Sequence, residues 1–295
     1  MNTHKSCLIC DSTDLKPLDG YEKTYLCQCK SCGFVFSERI PTESQLIKHY
    51  EGYGRNDYLS PITIKRYNEL LDEFERYRKS NRILDVGCGV GYFLQVAKER
   101  GWEIYGTEYT DKAIEICEAK GASMKQGVLN ADNYPSGYFD IITSFEVLEH
   151  INNPQEELHS FNKILRKGGL VYFTTPNFNS LLRYRLKSFY DIITYPEHLS
   201  YYTPSTIKKV FKRTGFSSLK VLTTGISLTR LKRGKASKSG SDKPKEKLIS
   251  ESSSDEKLRL EIEEKKHLQV VKKIINKTLT VFGVGDSLKG YFIKK

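Results

Sequence analysis

Four cysteines near the start of the chain have the spacing of a zinc site. Cys7 and Cys10 form one Cys-x2-Cys pair, and after 18 intervening residues Cys29 and Cys32 form a second. Each pair can place two sulfurs on one tight turn, and two such turns complete the thiolate tetrahedron that Zn²⁺ prefers. Four protein ligands leave no open coordination position, so we expect a structural zinc ion at these four cysteines. Cys27 is an alternative to Cys29, and a set of unligated thiols is the other alternative.

A glycine-rich loop is the second feature that could do chemistry. It follows a short apolar stretch and reads Asp85-Val86-Gly87-Cys88-Gly89-Val90-Gly91. A strand that ends in Gly-x-Gly-x-Gly and turns into a helix brings a ligand close to backbone N–H groups. Side chains at the three glycine positions would obstruct that approach. The glycine pattern alone also suits a dinucleotide.

Two acids favour a different ligand for this loop. Asp85 lies two residues before the first glycine, where a carboxylate suits a cationic ligand group better than a pyrophosphate. Glu108 lies 23 residues after Asp85, at the end of the next predicted strand. An acid at that point can accept both hydroxyl protons of a ribose. The two acids together therefore favour a ligand with a cationic group and a ribose.

At these residues the sequence resembles the class I S-adenosylmethionine-dependent methyltransferases. Residues 85–91 match their first motif and Glu108 their second-strand acid, while residues 139–150 look like their fourth motif and residues 165–169 like the turn before their fifth strand. The likeness covers roughly residues 60–225. It implies S-adenosyl-L-methionine as the cofactor, with Asp85 near the methionine ammonium and Glu108 on the ribose. The residues expected around the cofactor are Asp85, Gly87, Cys88, Gly89, Gly91, Glu108 and Phe145.

The sequence departs from this family at the adenine side of the expected site. Many relatives carry an acid there, where this chain has Gly127-Val128-Leu129. Backbone N–H groups and Asp132 are the alternatives for contacting an adenine. The adenine contacts are therefore the part of the cofactor site that the resemblance defines least.

The elements that must position these residues alternate along the chain. Ser60-Pro61 predicts the start of a helix that runs to Arg78, and strands are predicted over 82–86, 103–108, 123–127, 139–144 and 170–175 with helices between them. Later come a helix to Thr214, a strand over 216–223, a charged helix over 255–277 and a strand over 287–293. We therefore expect an α/β fold: a Rossmann-like, doubly wound, mostly parallel seven-stranded sheet with a small N-terminal zinc ribbon.

The expected domain order follows from these elements. Residues 1–40 form the zinc-ribbon module, which resembles the N-terminal ribbons fused to some bacterial methyltransferases. Residues 41–80 form a linker and an N-terminal helix, and residues 81–229 form the S-adenosylmethionine-binding core. Residues 230–254 are too polar to fold alone and form a flexible basic loop. Residues 255–295 supply a C-terminal helix and the last strand of the core.

Two histidines are candidates for the general base of a methyl transfer. Ligands of doubly wound sheets bind beyond the carboxyl ends of the strands, and His150 follows one such end. His198 lies in a later loop whose Pro196-Glu197-His198-Leu199 segment resembles one found in the zinc-ribbon methyltransferases. We predict that His198 is the base and that His150 is the second candidate. The alternative is that His198 shapes the loop by bonding Glu197 or a backbone carbonyl.

Charge and composition limit the class of protein. The chain of 295 residues has a formal net charge of +11, and eight Lys and Arg residues between Arg230 and Lys247 outweigh two acids there. A solvated loop explains this cluster, and an RNA- or membrane-surface patch is the alternative. No apolar run approaches the roughly 18 residues of a membrane span, and the start of the chain lacks a signal-like apolar stretch. Clustered cysteines agree with a reducing compartment, so we expect a cytoplasmic protein.

The leading functional hypothesis is a small-molecule O-methyltransferase. The resemblance suggests a sugar, nucleotide-sugar or other glycan precursor as the acceptor. An RNA methyltransferase is the first alternative, although Ser144-Phe145-Glu146-Val147 differs from the Asn/Asp-Pro-Pro-aromatic signature of many base-amino methyltransferases. A non-catalytic protein that binds the cofactor or a partner is the second alternative, and the intact Asp85 and Glu108 argue against it.

Overall fold

The structure, a computed structural model, describes residues 2–42, 45, 59–227, 229–231 and 261–295. Its described part contains a four-stranded sheet and a seven-stranded sheet. The strands of the large sheet are β4 (Arg82–Val86), β5 (Glu103–Glu108), β6 (Ser123–Gln126), β7 (Phe139–Phe145), β8 (Leu165–Pro176), β10 (Phe216–Thr224) and β11 (Ser287–Lys294). The small sheet contains β1 (Leu15–Pro17), β2 (Leu26–Cys29), β3 (Val35–Ser37) and β9 (Ser200–Tyr201).

The large sheet is mostly parallel, and its strand order is β10-β11-β8-β7-β4-β5-β6. Strands β8, β7, β4, β5 and β6 run parallel, and β11 is inserted antiparallel between β8 and β10. The strand order reverses between β4 and β7, which places a crevice at the carboxyl ends of these two strands. The predicted α/β, Rossmann-like, seven-stranded fold is therefore confirmed.

Helices cover both faces of this sheet. They are α1 (Pro61–Phe74), α2 (Tyr92–Glu99), α3 (Asp111–Ala119), α4 (Pro154–Ile164), α5 (Leu181–Leu186), α6 (Pro204–Arg213) and α7 (Lys266–Phe282). The central strands β4 and β7 are buried along most of their length and are rich in apolar residues, because side chains on both of their faces are covered. Pro occupies the first turn of α1, α4 and α6, where its missing N–H has no intrahelical partner to lose.

The buried carboxylate of Asp140 connects the segment before β4 to the beginning of β8. Asp140 Oδ2 accepts hydrogen bonds from the backbone N–H groups of residues 79–81 at 2.7–2.8 Å, and Asp140 Oδ1 accepts one from Arg166 Nε at 2.5 Å. Burial alone would raise the pKa of Asp140, but Arg166 and the three amides hold it below its usual value. This network fixes the link between α1 and β4 and hence the direction in which β4 enters the sheet.

Several predicted element boundaries were wrong. Helix α1 ends at Phe74 and is followed by a 3-10 turn over Glu75–Tyr77, so it does not run to Arg78. Residues 166–169 do not form a separate turn, because β8 begins at Leu165 and contains an irregularity at which its register with β7 shifts. Gly168 supplies the left-handed backbone there with a φ of 72°. The C-terminal helix, predicted over 255–277, is interrupted at Lys265, whose backbone is extended. Helix α7 therefore begins at Lys266, continues past Lys277 to Phe282 and ends at Gly283, whose φ is 69°. Most of the predicted basic loop, residues 232–254, lies outside the described residues.

The N-terminal strands form one sheet with a segment from far along the chain. β1, β2 and β3 pair antiparallel in order, and β9 then pairs with β3 through Val35 opposite Tyr201 and Phe36 opposite Ser200. Strand β3 of the N-terminal segment therefore pairs directly with the segment that follows His198. Among the described residues, no helix is both long and apolar enough to cross a membrane.

Candidate functional site

The glycine-rich loop lies where β4 leaves the sheet and turns into α2. Gly87, Gly89 and Gly91 all have left-handed backbone, with φ of 69°, 54° and 71°. A Cβ at Gly91 would lie 2.7 Å from Cys117 Sγ, so a side chain there would clash with α3. A Cβ at Gly89 would project into open space. The loop is thus tightly packed on one side and open at Gly89, where a ligand can approach the backbone.

Asp85 is a buried carboxylate at the end of β4. It is 2% exposed, and its Oδ1 accepts a hydrogen bond from Thr143 Oγ1 at 2.7 Å. Burial raises the pKa of Asp85 to about 7; the bond from Thr143 opposes this shift, and the nearby charge of Glu108 adds to it. Among the described residues, no Lys, Arg or His forms an ion pair with Asp85. A buried acid without a protein cation is an acceptor for a cationic ligand.

Glu108 lies at the end of β5, beside the loop. Its Oε2 accepts a hydrogen bond from Gly89 N at 2.9 Å and its Oε1 accepts one from Tyr109 N at 2.7 Å. β4 and β5 are parallel neighbours with Val86 opposite Thr107, so the loop and this acid emerge at the same edge. The two amides orient the half-buried carboxylate of Glu108. Its remaining lone pairs can accept hydrogen bonds from hydroxyl groups.

The other two residues predicted around the cofactor are placed differently. Phe145, at the end of β7, packs against Tyr67, Phe93 and Tyr172 with ring centroids 5.0–5.8 Å apart. This aromatic cluster forms the wall between the sheet and α1. Cys88 Sγ lies 3.8 Å from Cys117 Sγ, so its side chain faces α3 and its backbone belongs to the loop.

The residues considered from the sequence as adenine contacts differ in their surroundings in the structure. Asp132 is exposed and its Oδ1 forms an ion pair with Lys163 Nζ at 2.5 Å. Leu129 is buried, whereas Val128 is 68% exposed beyond the end of β6. Asp132 is thus paired with Lys163, and Val128 is the exposed apolar side chain beyond the end of β6.

His150 and His198 come together at the carboxyl end of β7. Their rings are in edge-to-face contact, with centroids 4.8 Å apart. His198 Nδ1 lies 2.6 Å from Ile192 O, and His150 Nδ1 lies 2.7 Å from Glu197 O. A carbonyl oxygen only accepts, so each Nδ1 carries a proton. Burial and the nearby His150 lower the pKa of His198 to about 4, so its ring is neutral near pH 7.

Glu149 completes this group of titratable side chains. It is buried and its Oε2 accepts a hydrogen bond from Thr175 Oγ1 at 2.9 Å. Burial, together with Glu146, raises the pKa of Glu149 well above its usual value. A carboxylate oxygen of Glu149 and a ring nitrogen of His150 and of His198 lie within 4.8 Å of one another. This donor set has the composition of a site for a divalent cation.

The loop that contains His198 is connected to the N-terminal sheet through the backbone of Leu199. Its N–H donates to Glu149 O at 2.7 Å, and its C=O accepts from Ser37 N at 2.8 Å. Ser37 is the last residue of β3. One residue therefore joins the segment after β7 to the N-terminal module.

The four predicted zinc ligands form one cluster. Cys7 Sγ lies 3.5 Å from Cys32 Sγ, Cys10 Sγ lies 3.5 Å from Cys29 Sγ, and all four sulfurs lie within 4.8 Å of one another. A tetrahedral zinc ion with Zn–S bonds of about 2.3 Å separates its sulfurs by about 3.8 Å. The cluster therefore has the dimensions and the donor chemistry of a four-thiolate zinc site. Cys27 is buried in β2 and is not a member of it.

A comparison with family models identifies the central part of the chain. A model described as a methyltransferase domain matches residues 60–221, which include the loop, Asp85, Glu108 and both histidines. The chain belongs to this methyltransferase-domain family. The match begins with α1 and ends in β10, so it covers most of the large sheet.

Individual relatives agree with this family. The ubiquinone biosynthesis O-methyltransferase of Azoarcus sp. strain BH72 is 30% identical over 105 residues, 33% of this chain and 45% of that protein. The protein of the same name from Nitrosomonas europaea is 27% identical over 146 residues, 46% of this chain and 61% of that protein. These matches span about half of the length of each relative. The names of these relatives mention no sugar, so they do not support the predicted sugar acceptor.

Solved structures share the fold of this methyltransferase domain. A methyltransferase from Archaeoglobus fulgidus superposes with a TM-score of 0.51 and 20% identity, over 86% of this chain and 100% of that one. Phosphoethanolamine N-methyltransferase 2 of Haemonchus contortus, solved with S-adenosyl-L-methionine, has a TM-score of 0.53 and 17% identity over 88% and 61% of the two chains. At this identity the likeness concerns the fold.

Some residues around the site of this methyltransferase domain were not predicted. Thr143 donates to Asp85, and it lies directly opposite Asp85 in the pairing of β7 with β4. The sequence offered one signal for the role of Thr143, which is a polar residue directly after Ile141-Ile142 in a strand rich in apolar residues. Tyr67 of α1 contacts Phe145, but its helical spacing indicated only a core position. The backbone of Leu199 gave no signal, because its role depends on a long-range pairing.

Replacing Asp85 by Asn measures what the methyltransferase domain loses by burying this carboxylate. The usual pKa of 3.8 is raised to about 7, so the folded chain favours the protonated acid and its stability falls as the pH rises from about 4 to about 7. Asparagine keeps an acceptor for Thr143 and removes the charge. We expect Asp85→Asn to raise Tm by several degrees near pH 8 and by little near pH 4.5, in scanning calorimetry. An equal gain at both pH values, or none near pH 8, would contradict this account.

Proposed function

We propose that this protein transfers the methyl group of S-adenosyl-L-methionine to a hydroxyl of a small molecule. The observation that carries the proposal is Asp85, a buried carboxylate without a protein cation at the carboxyl end of β4. The methionine part of S-adenosyl-L-methionine offers an ammonium group, which would compensate this charge. Membership of the methyltransferase-domain family and relatives named as O-methyltransferases support the same activity.

The residues at the ends of β4 and β5 would contact the methyl donor from its methionine part to its ribose. Asp85 would bind the methionine ammonium, and the open backbone at Gly89 would lie along the ligand. Glu108 would accept hydrogen bonds from the ribose hydroxyls with the lone pairs that the amides of Gly89 and Tyr109 leave available. Gly87, Gly91 and the backbone of Cys88 set the shape of the loop, and Phe145 forms the wall beneath it. The sulfonium of the bound donor supplies the electrophilic methyl group.

The acceptor would bind on the side of His150 and His198. A hydroxyl acceptor must lose its proton as the new carbon–oxygen bond forms, and the lone pair of His198 Nε2 would receive it. The low pKa of His198 keeps that lone pair free at physiological pH, and the bond from His198 Nδ1 to Ile192 O fixes the ring. His150 lies in contact with this ring and would help to orient the acceptor. An RNA acceptor is the alternative, motivated by the net charge of +11.

The N-terminal cysteines would hold a structural zinc ion. The spacing of the four sulfurs supports this role, and a four-thiolate site has no open position for catalysis. Zinc would fix β2 and β3, and β3 contacts the His198 loop through Ser37 and Leu199. We infer that the zinc module stabilises the acceptor side of the site while the cofactor loop folds without it.

Calorimetric titration with S-adenosyl-L-methionine tests the donor assignment. The unaltered chain is expected to bind it, and Glu108→Gln should weaken binding by about tenfold or more, because charge-assisted bonds to the ribose are lost. Glu103→Gln is the matched control, since Glu103 is exposed at the opposite end of the same strand. Absence of binding by the unaltered chain, or equal weakening by both variants, would contradict the assignment.

Label transfer from methyl-tritiated S-adenosyl-L-methionine tests the acceptor side. In a cell extract, we expect tritium in the small-molecule fraction and a loss of about 100-fold or more in His198→Ala, with donor affinity unchanged. His159→Ala is the control, because His159 is an exposed histidine of α4. Tritium mainly in the RNA fraction would favour the alternative acceptor. A His198→Ala variant that transfers label normally would remove His198 from the base role.

Metal analysis of purified variants tests the zinc site. We expect one zinc ion per chain in the unaltered protein and in Cys27→Ser, and none in Cys29→Ser, because Cys27 lies outside the sulfur cluster. Cys29→Ser should also lose label transfer while donor affinity stays within a factor of about three. Zinc-free unaltered protein, or a Cys27→Ser variant that loses the metal as well, would refute the assignment.

A further inference from the structure

The C-terminal helix α7 exposes a continuous apolar face. Six of its aliphatic and aromatic side chains are between 47% and 72% exposed, a high degree for residues of this type on one helix. They are Val270, Val271, Ile274, Ile275, Val281 and Phe282. With 3.6 residues per turn, the six lie within an arc of about 140°. His267 and Thr278 are the polar residues inside that arc.

The opposite side of α7 holds the helix on the large sheet. Leu279 is buried there, and Thr280 Oγ1 donates to Thr223 O of β10 at 2.9 Å. Asn276 Oδ1 accepts from Gly225 N at 2.9 Å. These contacts fix the rotation of the helix, so its apolar face points away from the sheet. The exposed face is therefore not the side on which the fold depends.

Lysines border the apolar face along one edge. Lys266, Lys273 and Lys277 are exposed and fall within an arc of about 40° beside it. Helix α7 contains no Asp or Glu. Lys272 points elsewhere and forms an ion pair with Glu263, so it is not part of this row. The helix thus presents an apolar stripe and an adjoining row of positive charges.

We propose that α7 binds the surface of a membrane that contains anionic phospholipids. A helix of this kind lies in the plane of the interface, with its apolar side chains among the acyl chains and its lysines at the headgroups. At about 1.5 Å per residue, its 17 residues extend over about 25 Å. The apolar face would thus contact the acyl chains, and the adjoining row of lysines would contact the anionic headgroups.

A second copy of the chain fits this face less well. Two α7 helices packed antiparallel through their apolar faces would place two rows of lysines close together, and the helix offers no acid to pair with them. Anionic headgroups instead provide opposite charge along the whole row. Charge complementarity therefore selects the lipid surface over self-association. This inference does not depend on the identity of the methyl acceptor.

Co-sedimentation of the full chain with vesicles tests the proposal. We expect binding to phosphatidylcholine vesicles with about 30% phosphatidylserine, weak binding to phosphatidylcholine alone, and loss of binding at high salt. Ile274→Asp should reduce binding by at least about tenfold. The double variant Lys273→Ala and Lys277→Ala should reduce it by about 30-fold, since each lysine near the surface contributes about fivefold.

The matched control is the double variant Lys112→Ala and Lys125→Ala. These lysines are exposed on α3 and β6, at the edge of the large sheet opposite to β10 and α7, and their loss should leave vesicle binding unchanged. Donor affinity and Tm verify that every variant is folded. Equal binding to both kinds of vesicle, or to neither, would overturn the proposal. So would a dimer in sedimentation velocity that Ile274→Asp dissociates while vesicle binding is absent.

Discussion

Asp85 stands at the end of a central strand, where burial keeps water from its carboxylate. A charge in this position is costly unless an opposite charge or several hydrogen bonds compensate it, and Thr143 supplies one bond. The structure around Asp85 places other groups beside it. The parallel pairing of β4 and β5 brings Glu108 to the same edge of the sheet. The left-handed backbone of Gly87, Gly89 and Gly91 lets the chain leave β4 directly after Asp85 and Val86. In the proposed function, the ammonium group of the donor would supply the opposite charge that this buried acid lacks.

The loop that contains His198, which we propose as the acceptor side, depends on a second constraint. The two backbone bonds of Leu199 connect the segment after β7 to the last residue of β3. His198, the residue before it, is consequently held by elements that are more than 100 residues apart in the chain. In the proposed function, a zinc ion on the four clustered cysteines would make the N-terminal module a firmer support for this loop. A ligand-binding role for the module itself is not needed to explain its position.

The sequence permitted accurate prediction wherever local chemistry decides the structure. The strands of the core, the glycine loop and the cysteine cluster all depend on spacing within a few tens of residues, and each lies where it was expected. The pairing of β9 with β3 was missed, because two residues such as Ser200-Tyr201 carry no strand signal and the partner lies far away. The irregularity at Gly168 was missed because Gly-Gly after Arg-Lys is typical of a turn. The roles of His150 and His198 stay predictions, since geometry alone places them together without showing a reaction.

A crystal structure with S-adenosylhomocysteine, the demethylated form of the donor, tests the central claim most directly. The account predicts the ligand amine on Asp85, the ribose hydroxyls on Glu108 and the backbone of residues 87–91 along the ligand. The position of the ligand sulfur should then face the side of His150 and His198. A ligand bound away from Asp85 and Glu108, or a loop that admits no ligand at saturating concentration, would contradict the account.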